Sequence, residues 1–574
     1  MVFVSTFEDS KPPEQFKDSL SEFFWHQLDV FKDKTLLVDY ESGRSWTGAQ
    51  IKRKCSEIAN YLIDELGLKP RNSCVLFYKN NDHAQLVTVA TLFAGGSVCA
   101  GYPDDPQAEH AHMIKCLEPA IVFASKNLLQ ELLDIRQKSC GEFKFKICII
   151  DLEEGQERGF ELKDHSFVAA GLSKHLLDHH EQSTSNGSGK LASSEIKINN
   201  NCSRLPIRVD PDDPAFVLLT SGSTGQPKPV ARSHRNSIYV CFSLEGASDL
   251  WHLDENSILA GHLQLDHGTG TFSLKMTLSK GLKMIVIDGY KFETLLDAID
   301  RFKVTDCMLG SAHLHNIMSA PESSLSKYNL SSLKNFIAIG SPLASYSRAL
   351  EFMDRYPNLS VRQAFGMTEC GFLCIVPRAD SREDSKSVGM LLPNVRMKLI
   401  NLNTGKEVTE VEEEGELFVA GPTVSPGYLG AALELTRTAF QADGFYRSND
   451  VCSMLPNNRL RVKGRRTDVL CLNDGWKVLA HELELVLQEH PGVLEAAVVG
   501  IPHPTLQTMH APRAYVVAKE SWRSRLDESE LFDFSAARLS APKHLTGGIK
   551  LMDQLPRVSL GKVDKRALLK LDGY

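Results

Sequence analysis

Short runs of Val, Ile, Leu and Phe alternate along this chain with longer amphipathic stretches. Ala120-Ile121-Val122-Phe123, Ile147-Cys148-Ile149-Ile150, Ala215-Phe216-Val217-Leu218-Leu219 and Met284-Ile285-Val286-Ile287 are examples. Uninterrupted apolar runs of this length predict strands buried on both faces. After the last of them, Phe292, Leu295, Leu296, Ile299 and Phe302 recur at helical spacing and predict a helix over 292–302. Strand-like and helix-like patterns in alternation place the chain in the α/β class. From about Arg466 the texture changes to a helix over 481–489, strands over 496–500 and 514–518, a helix over 528–539 and a closing strand. The pattern thus predicts a large multi-sheet α/β domain over 1–465 and a smaller α+β domain over 466–574. Within the first, 172–203 runs through EQSTSNGSGKLASSE and Asn199-Asn200-Asn201. Such a segment buries too little apolar surface to offset its ordering entropy, so it is expected to be a disordered insert.

Composition narrows the class. The chain has 574 residues, 42% apolar and 24% charged, with a net charge of −8. That length favours more than one domain, and that charge gives no basic stripe for nucleic acid. The 13 cysteines form no C-x-x-C pair, so no zinc site is expected and reduced thiols fit best. The opening stretch has neither a basic nor an apolar region of a secretory signal. The most apolar window, around Leu86 to Ala100, is too short to span a bilayer. The ending Leu571-Asp572-Gly573-Tyr574 is not a peroxisomal address. A soluble, cytoplasmic protein with no integral membrane segment is expected.

The clearest chemical pattern follows the run at 215–219. Thr220-Ser221-Gly222-Ser223-Thr224-Gly225-Gln226-Pro227-Lys228 sets small hydroxylated and glycine residues straight after a predicted strand. Glycines let backbone N–H groups turn toward a phosphate, hydroxyls add donors, and Lys228 adds positive charge. It is not a Walker loop, because Lys228 does not directly follow the second glycine and no Ser or Thr comes after it.

T-S-G-S-T-G-x-P-K resembles the phosphate loop of the adenylate-forming superfamily: acyl-CoA synthetases, hydroxycinnamate-CoA ligases, beetle luciferases and the adenylation domains of peptide synthetases. Five further segments follow in that family's order, so the resemblance spans nearly the whole chain. Ala338-Ile339-Gly340-Ser341-Pro342-Leu343 is similar to the strand end lining the adenine and acyl pockets, which implies Gly340 and Ser341 there. Gln363-Ala364-Phe365-Gly366-Met367-Thr368-Glu369 resembles Y-G-x-T-E with Phe for Tyr. It implies Phe365 stacked on adenine beside Gly366, Thr368 on the α-phosphate, and Glu369 helping to hold Mg²⁺. A carboxylate beside polyphosphate is chemically coherent with a metal between them.

Asp443-Gly444-Phe445-Tyr446-Arg447-Ser448-Asn449-Asp450 resembles D-G-W-x-x-[ST]-G-D, whose last Asp accepts hydrogen bonds from both ribose hydroxyls. One carboxylate can accept two such bonds. The segment Gly464 to Val478 is similar to the family's inter-domain hinge. It implies that Arg465, fifteen positions beyond Asp450, contacts ribose or phosphate, and that the pivot is Thr467 or Asp468. Leu555 to Asp564 resembles L-P-x-x-x-x-G-K-[IVL], whose lysine, here Lys562, reaches in from the small domain and stabilises charge during adenylation. Lys228, Thr368 and Lys562 are thereby implied as catalytic residues.

The chain also departs from the family. Ile339 and Asn449 stand where glycine is usual, and Asn is the side chain that best tolerates a left-handed turn. Pro229 replaces another glycine and removes a backbone donor that a phosphate contact would use. No lysine lies near Cys471, which touches on the thioester step. Val240 replaces an arginine of luciferases and argues against light emission. Leu263 to Phe272 sits at the family's acyl gate, so His267 is implied to border the incoming carboxylate as a catalytic residue; a satisfied loop histidine is the alternative. Asp266 reads either as a group for a substrate amine or as a helix cap.

The resemblance implies ATP-dependent activation of a carboxylic acid to an acyl-adenylate, then transfer to coenzyme A, with the small domain as a mobile lid. ATP, Mg²⁺ and coenzyme A are the implied cofactors. Two other readings stand beside it: transfer to a carrier protein's phosphopantetheine arm in trans, and a non-catalytic nucleotide-binding descendant.

Overall fold

The computed structural model describes residues 2–573 except 7–8, 10, 17–18, 139–144, 153–168, 174–205, 221–227, 244–247, 344, 385, 473–476, 503–509 and 558–562. The apolar runs become strands of two large sheets. Ile121–Ala124, Lys146–Leu152 and Pro214–Thr220 lie in an eight-stranded sheet, and Lys283–Val286 lies in a fourteen-stranded one. Ser73–Phe77 pairs in parallel with Ser97–Gly101 and Ile121–Ala124. The larger sheet is parallel from Thr35–Asp39 across to Ser360–Met367, and antiparallel beyond.

Helices fill the space between the sheets. Asp82–Phe93 is buried at all 12 positions, and Gly268–Lys280 at ten of 13. A helix covered on every side must have protein on both faces, and one core cluster includes both helices and strand residues from the two sheets. Phe292–Phe302, Ser311–Met318 and Tyr346–Arg355 cover the outer face of the larger sheet. Gln107–Leu117 and Leu129–Lys138 cover that of the smaller. The result is five alternating layers of helix and sheet. The helix expected over 292–302 has those bounds, with Leu295, Leu296 and Ile299 buried and both phenylalanines at its edge.

The C-terminal residues form separate cores around Val493–Pro502, His510–Ala518 and Ile549–Met552. Ala480–Gln488 and Glu528–Ala536 match the expected helices. The described chain ends on a helix, Lys565–Leu571, where a closing strand was expected to be last. It is capped by Asp564, whose side chain accepts from the N–H groups of Arg566 and Ala567. Two turns of helix give too short a period to be read from sequence. The start of the expected insert also differs, since Leu172 and Ser173 end a strand, Ala169–Ser173. Residues 174–203 lie outside the described residues. Among the described residues, no helix is long and apolar enough to cross a membrane.

One buried cation has a measurable consequence. Lys275 is 3% exposed, with Nζ 5.1 Å from the centroid of the Phe216 ring. Burial, helped by Arg232 and opposed by Cys241, lowers its pKa to about 7 from 10.5. Below the lower value both folded and unfolded states carry the charge, and the desolvation penalty is fully present. As pH rises toward 10.5 the unfolded chain holds the extra proton, so the penalty fades. It is at most about 5 kcal/mol. Lys275→Met should therefore stabilise the fold most near pH 6, with the advantage shrinking toward pH 9. Urea unfolding of both proteins across that range checks the sign; a gap that widens with pH would contradict it.

Candidate active site

The phosphate loop closes a hairpin. Pro214–Thr220 and Lys228–Ser233 are antiparallel, and Thr220 pairs with Lys228, so the two ends of the loop lie side by side. Ser221, Gly222, Ser223, Thr224 and Gly225 lie outside the described residues. Pro229 is an internal strand residue opposite Leu219, and its carbonyl accepts the Leu429 N–H at 2.9 Å. That bond joins the hairpin to Gly427–Tyr428, the sheet's edge strand.

Tyr428 links two of the expected site residues. Its ring centroid lies 5.8 Å from Lys228 Nζ, and its hydroxyl donates to Glu369 Oε1 at 3.0 Å. The Tyr446 hydroxyl is 3.4 Å away. Burial first, then the charge of Glu369, raises the pKa of both phenols, so each remains a protonated donor.

Thr368 and Glu369 sit in the turn after Ser360–Met367, and that turn is held by a buried guanidinium. Arg232, 2% exposed, donates through Nη1 to the carbonyls of Thr368 and Glu369 at 3.4 and 2.9 Å. Burial pulls its pKa down to about 10, against the influence of Cys370 and Glu369. The strand bulges between Phe365 and Gly366, leaving Phe365 half-buried. A Cβ on Gly366 would lie 2.5 Å from the Gly371 oxygen, so this close hairpin requires glycine there.

A second hairpin carries the ribose candidate. Asp450 pairs with Arg465 across Tyr446–Leu455 and Arg459–Arg465, which accounts for the fifteen-position interval. Arg465 Nε lies 2.8 Å from Asp450 Oδ1, and Nη1 donates to the Ser448 carbonyl at 3.2 Å. Burial acts to lower the Arg465 pKa, but Asp450 and Glu369 outweigh it and the net direction is up. Asn449 has φ 61°, the left-handed turn expected when asparagine replaces glycine. The Ser448 hydroxyl supports it by accepting the Asp450 N–H at 3.0 Å.

The parallel strand ends supply the remaining wall. Gly340 is exposed with φ 82°, and the Ser341 carbonyl accepts Ser311 Oγ at 2.6 Å. Ile339 is 5% exposed and belongs to the core. His267 is the N-cap residue of Gly268–Lys280, with no side-chain capping bond, and its Nε2 lies 3.5 Å from Asp266 Oδ2. Lys562 lies outside the described residues.

The approach to the small unit is anchored on both sides. Arg466 pairs with Glu416 at 2.8 Å, and Glu416 also pairs with Arg447 of the large unit at 2.7 Å. Asp468 pairs with Lys565 at 3.3 Å, and Lys565 with Glu484 at 2.7 Å, both in the small unit. A cleft of about 610 Å³ separates the units, lined by Leu343, Gln363 and Val462 on one side and by His481 and Leu485 on the other.

Sequence reasoning missed Arg232 and Tyr428. A charged residue inside the strand K-P-V-A-R-S, and an aromatic between the glycines of P-G-Y-L-G, were the available clues.

Asp450→Ala should weaken ATP binding and leave the protein folded. Each charge-assisted hydrogen bond to ribose contributes roughly 1.5–3 kcal/mol, so at least a tenfold loss is expected. Calorimetric titration with ATP, alongside a thermal melt, reads both. An unaltered affinity in a folded variant would remove the ribose assignment.

Comparison with known proteins identifies the family and the fold. The model of the AMP-binding enzyme family matches residues 24–429, and that of its C-terminal domain matches residues 482–562. A 4-coumarate–CoA ligase-like protein of Arabidopsis thaliana is 27% identical over 568 residues, covering 98% of this chain and 92% of its own. Luciferin 4-monooxygenase of Photinus pyralis is 25% identical over 512 residues, with 88% and 85% covered. Among solved structures, ATP-bound MatB from Rhodopseudomonas palustris superposes with TM-score 0.78 at 22% identity, covering 96% of this chain and 98% of that one. The family-model matches make this chain a member of the AMP-binding enzyme family, within the adenylate-forming superfamily.

Proposed function

We propose that this protein is an AMP-forming acyl-CoA synthetase: it activates a carboxylic acid as an acyl-adenylate and transfers the acyl group to coenzyme A. The observation that carries this reading is the meeting of Lys228 and Glu369 at one tyrosine, Tyr428, beside the phosphate-loop hairpin. A cation and a carboxylate on one polar ring suit a site for a metal-bound polyphosphate. Relatives named as CoA ligases support the acceptor. Neither the carrier-protein acceptor nor the non-catalytic reading gains support from them.

In the first half-reaction a carboxylate oxygen attacks the α-phosphorus of ATP, and pyrophosphate leaves. Lys228, Arg465 and Lys562 would stabilise the negative charge that develops, with Thr368 beside the α-phosphate. Gly340, Ser341 and Phe365 would border the adenine, Asp450 the ribose, and Thr220 with the 221–225 loop the phosphates. His267 would border the acid. Mg²⁺ would be held by Glu369 and the phosphates and would neutralise their charge. One carboxylate plus substrate oxygens is the usual set for this ion. In the second half-reaction a thiol attacks the acyl carbon, giving thioester, AMP and a proton.

With the domain boundary put at 465/466, the anchors on either side favour Thr467 over Asp468 as the pivot. Arg466 is tied to the large unit and Asp468 to the small one, so rotation is concentrated in the residue between them.

Pyrophosphate exchange into ATP over a panel of carboxylic acids tests the first half-reaction. Thioester formation with coenzyme A then tests the second. Exchange without thioester would redirect the acyl group to another acceptor. No exchange with any acid would leave a nucleotide-binding protein.

A further inference from the structure

The candidate phosphate side is assembled from both large sheets. Lys228–Ser233, the second strand of the phosphate-loop hairpin, belongs to the eight-stranded sheet. Ser360–Met367, which leads into the turn at Thr368 and Glu369, belongs to the fourteen-stranded one. Three side chains tie the two together. Arg232 reaches from the hairpin strand to the carbonyls of Thr368 and Glu369, at 3.4 and 2.9 Å. The Ser425 N–H donates to the Glu369 carbonyl at 2.7 Å, and its hydroxyl donates to the Ala231 carbonyl at 2.6 Å. Tyr428, opposite Val230 on the next strand, holds the Glu369 carboxylate itself.

Arg232 is the costly member of this set. It is 2% exposed, and its neighbours Val230 and Ala231 are apolar and equally enclosed, so packing alone does not call for a cation here. Its bonds go to main-chain carbonyls, so they fix the turn and leave the Glu369 carboxylate open to other partners. A Cβ on Gly371 would lie 3.4 Å from Nη2, so the far side of the turn also packs against the guanidinium. A planar fork of donors can hold several points of a turn at once, which the single ammonium of a lysine does less well.

We propose that Arg232 is a positioning residue for adenylation: it locks the Thr368–Glu369 turn to the phosphate-loop strand, so that the Glu369 carboxylate is preset for Mg²⁺ and Thr368 for the α-phosphate. The inference rests on the adenylation reading above. Groups that orient a metal-ligating carboxylate without touching the metal typically contribute roughly 10–100-fold to its affinity or to activity.

Calorimetric titration of the full chain with ATP, in Mg²⁺ and in chelator, tests it, with a thermal melt to establish folding. The wild-type protein should bind ATP more tightly when Mg²⁺ is present. Arg232→Met should cut that gain by roughly tenfold or more and leave the metal-free affinity within about twofold. Arg232→Lys, which keeps the charge and loses the fork, should retain part of the gain. In pyrophosphate exchange both variants should need correspondingly more Mg²⁺ for half-maximal rate. An unaltered gain in folded Arg232→Met overturns the assignment. So does an equal loss of affinity with and without the metal, the mark of a purely structural arginine. Where Arg232→Met does not fold, Arg232→Lys decides, and a full gain there overturns it. A wild-type protein that binds ATP indifferently to Mg²⁺ and supports no exchange removes the adenylation reading, and the Arg232 assignment with it.

Discussion

Lys562→Ala should abolish ATP-dependent acyl-adenylate formation while sparing the transfer of a preformed adenylate. The lysine closes an L-P-x-x-x-x-G-K-V segment in the small unit, and its proposed part is to stabilise charge on the transferring phosphoryl group. Removing a preorganised stabiliser of that kind lowers turnover by roughly a hundredfold or more. Supplied with acyl-AMP and coenzyme A, the same variant should form thioester at close to the wild-type rate, because no charge then develops on a leaving pyrophosphate. Single-turnover assays of the two half-reactions separate these outcomes. Equal impairment of both would show that the lysine does not act in adenylation alone.

Thr467→Pro should produce the opposite pattern: adenylate forms and then persists. Proline fixes φ near −65°. Residue 467 lies within a short 3-10 turn, Arg466–Asp468, whose backbone accommodates such a value. The variant should thus fold in the arrangement seen here and resist leaving it. The ion pairs of Arg466 with Glu416 and of Asp468 with Lys565 fix the flanking residues to different bodies. Asp468→Pro should consequently be milder in the thioester step, its main effect being loss of the Lys565 pair. A thioester rate arrested by Asp468→Pro and untouched by Thr467→Pro would move the pivot. A slowing of roughly a hundredfold is expected when a rotation on which turnover depends is blocked.

The contrast between those two positions shows what could be read from the chain alone. Continuous patterns were legible: the helix Phe292–Phe302 and the strand Pro214–Thr220 follow from local periodicity, which needs no partner. The proposed site segments could be named because each keeps its motif within a few residues. The hinge was not legible, since the segment Gly464 to Val478 leaves both Thr467 and Asp468 open as the pivot. Thr467 is favoured through Glu416, fifty positions before Arg466. Arg232 and Tyr428 were hidden for the same reason. Their bonds to Glu369 bridge 137 and 59 positions, and no window along the sequence contains both ends. Tertiary contacts of that range are fixed by sheet order, which local pattern does not encode.

The hairpin that joins Asp450 to Arg465 is also a ruler. Its turn, at Asn457 and Asn458 with φ of 64° and 57°, is far along the strands from the proposed ribose contact. Yet the number of residues between that turn and Arg465 decides which side chain stands opposite Asp450. With the turn unchanged, one residue added there would present Gly464 to the aspartate, and one removed would present Arg466. In either case alternate side chains exchange faces. Substitution at the turn by a residue that tolerates a left-handed backbone keeps the register, whereas a change in strand length shifts it. The residue count along this hairpin thus sets the register at a proposed ribose contact that the turn itself never touches.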